Sequence, residues 1–284
     1  MSPSDFLTWL TIPPRRTLVM GVLNVTPDSF SDGGRFASVD GAIEHARQMI
    51  ADGADLIDIG GESTRPGSRR ISAAEQTARV LPVIREVAKL GIATSVDTTL
   101  APVAAAALDS GAAILNDISA GTEDPAMLML AARWQCPFVL MHMQSEPGSM
   151  QIAPAYTNVV AEVRDYLLSR AAACENAGLA RDRIVLDPGI GFGKTTEHNL
   201  RLLRELSALT ASGYPVLVGT SRKGFIGKLL DQPDPARRVF GTAASVAWAV
   251  TQGASIVRVH DVRSMKEVVT ILDAIAKAVP ADVR

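Results

Sequence analysis

Short runs of Val, Ile and Leu alternate along the chain with longer segments in which apolar residues recur at helical spacing. Each run is too short for a helix and too continuous for a strand with one solvent-facing side, which is typical of parallel strands buried on both faces. The pattern predicts eight strands, at residues 17–23, 56–59, 93–96, 114–115, 138–141, 184–186, 216–218 and 256–259.

Amphipathic segments that predict helices lie between these runs, among them residues 40–51, 73–90, 160–177, 200–212 and 265–279. Glycines in helix-ending positions close several helical segments, at Gly53, Gly91, Gly111 and Gly178. Eight strand–helix units favour a (β/α)8 TIM barrel over an open doubly wound sheet. We therefore predict the α/β class and one barrel domain over residues 1–284, with residues 1–16 as a short N-terminal extension.

Charge and cysteine content narrow the choice of partner and compartment. The net charge is −2 and no block of like charges stands out, which argues against nucleic acid or an acidic membrane surface and favours a small-molecule partner. Cys136 and Cys174 form no CxxC pair, so we interpret them as reduced core thiols of a cytoplasmic protein. Residues 1–16 lack a basic start, and no apolar run is long enough for a membrane span, so we expect neither a signal peptide nor a span.

Polar residues end almost every predicted strand. In a β/α barrel the chemistry lies on the loops that follow the strands. The candidates are Asn24, Asp58, Asp97, Asn116, Asp117, His142, Asp187, Ser221, Arg222, Lys223, Arg258 and His260. Each Asp, Asn or Ser alone could instead cap the next helix. Asp97 is followed by Thr98 and Thr99, which could cap the helix without it, so we interpret Asp97 as functional.

The segment 220–227 and the end of the eighth strand together suit a phosphorylated ligand. A barrel's phosphate site is often built from the loops after strands seven and eight. Ser221 and Lys223 lie after the seventh strand, while Arg258 and His260 add a guanidinium group and a further donor after the eighth. This much positive charge suits a diphosphate. The alternative is a solvated basic surface loop.

Two nucleotide-binding motifs and a zinc site can be set aside. Residues 193–195 resemble the end of a P-loop, but that motif requires Gly at 188, where the chain has Pro188. The dinucleotide-binding pattern G-x-G-x-x-G requires Gly in place of Lys194. The four histidines show no ligand spacing for zinc. Magnesium is plausible, because substrate phosphates and waters can complete its shell and Asn24 can supply a carbonyl oxygen.

Several long motifs in order resemble the dihydropteroate synthase family of folate biosynthesis. They are LNVTPDSFSDGG at 23–34, GESTRPG at 61–67, SVDT at 95–98, NDI at 116–118, MHMQ at 141–144, the loop 187–194, SRK at 221–223 and RVHD at 258–261. The resemblance spans nearly the whole chain. It implies a β/α barrel, usually a homodimer, that joins 4-aminobenzoate to 6-hydroxymethyl-7,8-dihydropterin diphosphate, releases diphosphate, uses Mg²⁺ and is a sulfonamide target.

The resemblance also implies roles for individual residues. Asp97, Asn116 and Asp187 would hydrogen-bond the pterin edge, with Lys223 over the ring. The other assigned residues are Ile118 and Met141 for the pterin slot, Arg258, His260 and Thr64 for the diphosphate, Asn24 for magnesium, and Phe30, Thr64, Pro66, Phe192 and Lys223 for aminobenzoate. Asp32 and Arg65 would lie on two mobile loops that complete the site and, with Asp97, Lys223 and Arg258, would support catalysis. Many members carry Ser where this chain has Gly224, so that side-chain contact is absent here.

Two alternatives remain open. A pterin-dependent methyltransferase would share the acidic residue after strand three and the Asn of strand four, but would have no use for a diphosphate site. A non-catalytic pterin-binding paralogue would be expected to lose loop residues such as Asp32, Thr64 or Arg65, all of which are present.

Overall fold

The computed structural model describes residues 1–13, 15–26, 34–63, 68, 70–145 and 148–277, without the side chains of 34–38. The strands are β1 Leu18–Asn24, β2 Leu56–Gly60, β3 Ala93–Asp97, β4 Ile114–Asp117, β5 Phe138–Met141, β6 Ile184–Asp187, β7 Leu217–Val218 and β8 Ile256–Val259. The helices are α1 Pro3–Thr11, α2 Gly34–Ala51, α3 Ala73–Ala88, α4 Ala101–Asp109, α5 Ala126–Trp134, α6 Val159–Asn176, α7 Thr196–Arg204, α8 Ser207–Thr210, α9 Gly224–Leu229, α10 Val239–Thr251 and α11 Val262–Ala276.

The eight strands form one parallel barrel. Their order is β6-β5-β4-β3-β2-β1-β8-β7, and an isolated parallel bridge between Leu186 and Val216 joins β6 to the start of β7. Helices follow the strands and cover the outside of the barrel. The predicted (β/α)8 fold is confirmed, and each of the eight predicted strands is present.

The prediction of one helix over residues 200–212 is wrong, because two helices, α7 and α8, occupy this region. The backbone leaves the helical conformation at Glu205, which has φ −109° and ψ 25°. Leu202, Leu203, Leu206 and Leu209 are all buried, on both sides of the break. Helical spacing of apolar residues therefore continues through a point at which the helix itself ends.

Helix α1 closes the N-terminal end of the barrel. Ser2 and Asp5 form a capping box around Pro3, which starts the helix. Phe6, Trp9 and Leu10 pack against the first inward-facing residues of the strands. Those residues are Leu18, Met20, Leu56, Ala93, Ile114, Val139, Val185, Leu217 and Ile256. The N-terminal extension is thus part of the apolar floor beneath the site.

Cys136 and Cys174 are buried and free, as predicted. Within the residues that the structure describes, no helix is long and apolar enough to cross a bilayer.

Candidate active site

Side chains along each strand point alternately into and out of the barrel. Above the apolar floor, several of the inward-pointing side chains are polar. Two residues beyond Leu56 comes Asp58, and two beyond Ile114 comes Asn116, so both face the barrel interior. In a TIM barrel each interior layer comes from alternate strands. The even-numbered strands supply one polar layer, formed by Asp58, Asn116, Asp187 and Arg258. Asp97, at the end of β3, belongs to the odd-numbered layer above it.

Arg258 joins these two layers. Its Nη2 lies 2.9 Å from Asp97 Oδ2 and 2.6 Å from Asp58 Oδ2, and its Nε donates to Asp58 Oδ2 at 2.7 Å. Asn116 Nδ2 donates to the same Asp58 oxygen at 3.1 Å. The structure thus brings the predicted residues Asp97, Asn116 and Arg258 together. The sequence marks Asp58 only as a polar strand end, although an acidic residue within the buried Ile-Asp-Ile run of β2 is a signal for a special role.

Burial makes the carboxyl groups of Asp97 and Asp187 weaker acids than usual. Desolvation, followed by the nearby Asp58 charge, raises the pKa of Asp97 to about 7, although Arg258 acts in the opposite direction. Desolvation raises the pKa of Asp187 to about 6, against the effect of a hydrogen bond from Gly189 N at 2.7 Å. Near neutral pH, a bound hydrogen-bond donor or cation would therefore lower the free-energy cost of keeping these two carboxylates ionised.

Lys223 lies over an aromatic ring at the same open end of the barrel, where the carboxyl ends of the strands meet; this opening is called the mouth below. Its Nζ is 4.0 Å from the centroid of the Phe192 ring. Burial and the neighbouring Arg258 lower its pKa to about 8. Gly191 has φ +86°, a left-handed conformation that favours glycine, and a Cβ there would also lie only 3.0 Å from Lys223 Cδ. The backbone of the β6 loop therefore favours a glycine at this point, next to the lysine.

The loops after β7 and β8 are tied together at the predicted phosphate site. Ser221 Oγ accepts from His260 N at 3.1 Å and lies 3.0 Å from His260 Nδ1. Next to it, Arg222 makes two hydrogen bonds to Asp261, at 3.0 and 2.6 Å. Burial and the nearby cations lower the pKa of His260 to about 3, so its ring is neutral.

An apolar wall completes the described part of the mouth. Ile118, Met141 and Phe192 are buried in one small cluster with Met150. Such a wall suits one face of a flat heteroaromatic ring. It lies on the loops and strand ends that follow β4, β5 and β6.

Gly60, at the end of β2, lies between Asn24 of β1 and Asp97 of β3. A Cβ at Gly60 would lie 3.7 Å from Asp97 Oδ2 and 3.8 Å from Asn24 Oδ1. The strand-end amide therefore presents a hard oxygen at the rim of the mouth, the ligand type that Mg²⁺ prefers. Across the described residues, no group of three His, Cys, Asp or Glu side chains could hold a metal. A magnesium ion here would take most of its ligands from substrate and water.

Two other polar strand ends serve the loops and not the mouth. Asp117 accepts from Ser119 N at 2.7 Å and Gly121 N at 2.8 Å, which is the local capping role that any such residue could have. His142 follows the inward-facing Met141 and therefore points outward, where its Nδ1 contacts Lys194 Nζ at 3.0 Å. The residues assigned by resemblance to the first two loops lie outside the described residues: Phe30, Asp32, Thr64, Arg65 and Pro66.

Comparison with known proteins agrees with this geometry. Residues 20–260 match the family model described as pterin binding enzyme. A dihydropteroate synthase of Synechocystis is 48% identical over 262 residues, covering 92% of this chain and 91% of that protein.

Solved structures give the same result. The Xanthomonas albilineans dihydropteroate synthase with 4-aminobenzoic acid superposes with a TM-score of 0.88 at 43% identity, covering 93% of this chain and 94% of that one. The Yersinia pestis dihydropteroate synthase with a sulfonamide drug superposes with a TM-score of 0.87 at 44% identity, covering 93% and 95%. The chain therefore belongs to the dihydropteroate synthase family of pterin-binding enzymes.

Proposed function

We propose that this chain condenses 6-hydroxymethyl-7,8-dihydropterin diphosphate with 4-aminobenzoate to give 7,8-dihydropteroate and diphosphate. The observation that carries the proposal is the position of Arg258 between Asp58 and Asp97, beside Asn116. A cation for a diphosphate and acceptors for a pterin edge thus lie within one mouth. The two similar solved structures are dihydropteroate synthases in complex with 4-aminobenzoic acid and with a sulfonamide drug, respectively.

The pterin occupies the polar layer. Asp97, Asn116 and Asp187 hydrogen-bond its amino-pyrimidinone edge, while Ile118 and Met141 cover one face of its ring. When the bond between the methylene carbon and oxygen breaks, the electron pair leaves on diphosphate and positive charge develops on the pterin. The buried Asp97 carboxylate stabilises that charge more than it stabilises the neutral substrate, which lowers the barrier. The aniline nitrogen then adds to the methylene carbon and releases a proton.

The diphosphate is held by the loops after β7 and β8. Arg258 supplies charge, and Ser221 and His260 supply donors. Because Ser221 Oγ accepts from the His260 backbone N–H, its own hydrogen can go to Nδ1. The neutral imidazole then carries its proton on Nε2, where it can donate to a phosphate oxygen. Magnesium, held by Asn24 with the phosphates, would offset charge on the leaving group.

The aminobenzoate lies between the diphosphate loops and the β6 loop. Phe192 and the aliphatic part of Lys223 contact its ring, and Phe30, Thr64 and Pro66 complete the pocket, with Asp32 and Arg65 on the same two loops. Gly224 begins α9, and no atom of the described residues lies within 4 Å of the place where a Cβ would be, so only its backbone N–H is available to the carboxylate. Sulfonamides would occupy the same pocket and compete with aminobenzoate.

A homodimer and a cytoplasmic location complete the proposal. Helices α7, α9 and α10 border an apolar groove of about 330 Å³. Large apolar side chains around it are exposed: Leu200, Leu229, Leu230, Phe240 and Trp248. Phe240 is 85% exposed, which an isolated subunit would not favour, so a second copy of the chain fits this face. The two free, buried cysteines support a reducing compartment.

An assay of diphosphate release tests the proposal. We expect release only when both substrates and magnesium are present, and competition by a sulfonamide against aminobenzoate. Arg258→Gln should abolish release, whereas Arg263→Gln, an arginine of α11 with a 71% exposed side chain, should leave it unchanged. Folded protein without turnover under these conditions would favour the non-catalytic paralogue. Transfer of a methyl group from methyltetrahydrofolate would instead support the methyltransferase.

A further inference from the structure

Asp58 and Asp97 differ in access to the mouth although both contact Arg258. The Asp58 side chain is fully buried, whereas that of Asp97 is 12% exposed. Asp58 lies within β2 in the even-numbered layer, and Asp97 ends β3 in the layer nearer the opening. A substrate that enters at the carboxyl ends of the strands therefore meets Asp97 first, with Asp58 behind it.

One oxygen of Asp58 serves two partners from distant strands. Its Oδ2 accepts from Arg258 Nε at 2.7 Å and from Asn116 Nδ2 at 3.1 Å. Strand β2 pairs with β1 and β3, not with β4 or β8, so both contacts cross the barrel interior. The other oxygen, Oδ1, is buried without a hydrogen-bond partner among the described residues. All hydrogen bonds of the Asp58 carboxylate to described residues are thus made by Oδ2, and they come from Arg258 and Asn116.

These contacts determine how both partners face the ligand. A carboxylate can only accept, so the Asn116 amide must turn its NH₂ to Asp58 and its carbonyl oxygen away from it. Asp58 holds Arg258 through Nε and Nη2, which fixes the guanidinium plane, whereas Asp97 shares only Nη2. If Asp97 turns to the pterin, Asp58 still holds the arginine in place.

We infer that Asp58 is a positioning residue, which orients Arg258 for the diphosphate and Asn116 for the pterin without itself touching substrate. The inference rests on the proposed function for the identity of those ligands. In this role the buried Asp58 carboxylate affects ligand binding, which a purely structural ion pair would not do. A structural pair would affect the stability of the barrel but not the binding of one particular substrate.

The isosteric variant Asp58→Asn tests this role against Asp55→Asn. Asp55 precedes the same strand, is also buried, and pairs with Arg16 at 2.7 Å and Lys266 at 3.0 Å, away from the mouth. We expect Asp58→Asn to raise KM for the pterin diphosphate, and the calorimetric Kd for diphosphate with magnesium, by about 10- to 100-fold. KM for aminobenzoate at saturating pterin diphosphate should change by less than about threefold. Asp55→Asn should lower the melting temperature and leave all three constants unchanged.

A double-mutant cycle identifies the path of the effect. In an Arg258→Lys background, Asp58→Asn should weaken diphosphate binding by less than about threefold further, because the group that Asp58 orients has been replaced. Full additivity, or a lowered melting temperature with an unchanged diphosphate Kd, would overturn the inference. The Kd comparison does not depend on turnover, so it separates failure of this inference from failure of the proposed function.

The wild-type protein provides a test even if Asp58→Asn does not fold. The Nε–H resonance of Arg258, assigned by its loss in Arg258→Lys, should remain protected from exchange when diphosphate and magnesium bind. Loss of that protection on ligand binding would show that Arg258 leaves Asp58, and would contradict the positioning role.

Discussion

Lys194 Nζ lies 3.0 Å from His142 Nδ1 and also donates to the carbonyl oxygens of His142 and Phe192, at 3.2 and 2.9 Å. When Lys194 is protonated, its ammonium group has three donors, and these three contacts can use them all. Lys194 is 2% exposed, and burial lowers its pKa to about 7. This buried lysine therefore fastens the β6 loop, which carries Phe192, to the end of β5.

Lys194→Met should weaken aminobenzoate binding more than pterin binding. The substitution removes the anchor of the Phe192 carbonyl, and Phe192 is assigned to the aminobenzoate pocket. We expect KM for aminobenzoate to rise about tenfold, with a smaller change for the pterin diphosphate. Lys89→Met, on a lysine with a 68% exposed side chain, serves as the control and should leave both constants unchanged. Equal increases in both KM values for Lys194→Met would contradict the assignment.

The same variant should change how stability depends on pH. The pKa of Lys194 is lowered from 10.5 to about 7 in the folded protein. Between pH 7 and 9 the unfolded chain keeps a proton that the folded protein releases, so this lysine makes the unfolding free energy rise with pH. Urea unfolding at both pH values should show a rise about 2 kcal/mol larger in wild type than in Lys194→Met. An identical change in both proteins would show that Lys194 stays charged.

Activity should fall on the acid side of neutrality. Asp97 must be ionised to stabilise the developing cation, and burial raises its pKa to about 7. We expect kcat/KM for the pterin diphosphate to decrease about tenfold per unit below pH 7, because this ratio reports groups of the free enzyme. In Asp97→Asn the decrease should move toward pH 6, because burial raises the pKa of Asp187 to about 6. Ionisation of the substrate is the same for wild type and variant. If the pH dependence of kcat/KM were unchanged in Asp97→Asn, the decrease at low pH would come from the substrate and not from Asp97.

The strand positions could be predicted because continuous Val, Ile and Leu runs mark strands buried on both faces. The strands extend further than the apolar runs at Asp97, Asp117 and Asp187, since a polar side chain does not prevent the backbone from joining the ladder. Motifs identified the mouth, but they did not distinguish inward from outward side chains. His142 comes directly after β5, whereas Asp97 is the last residue of β3, and the place of His142 after the inward-facing Met141 turns it away from the site.

The role of Asp58 could not be predicted from local pattern. Its partners, Asn116 and Arg258, are 58 and 200 residues away along the chain, and they meet it only through the alternate-strand layering of a closed barrel. The break between α7 and α8 escaped prediction for the opposite reason, because the burial pattern is continuous across it. Both features became visible only in the three-dimensional structure.

Asp97→Asn tests most directly the central claim, that a buried carboxylate lowers the barrier by stabilising a cationic pterin. The change keeps the shape and one acceptor but removes the charge, so the fold should be retained. We expect kcat to fall by about 10²-fold or more while the Kd for the pterin diphosphate, measured by calorimetry with magnesium, rises much less. An unchanged kcat with weakened pterin binding would show that Asp97 serves only to hold the ground state, and would contradict this account.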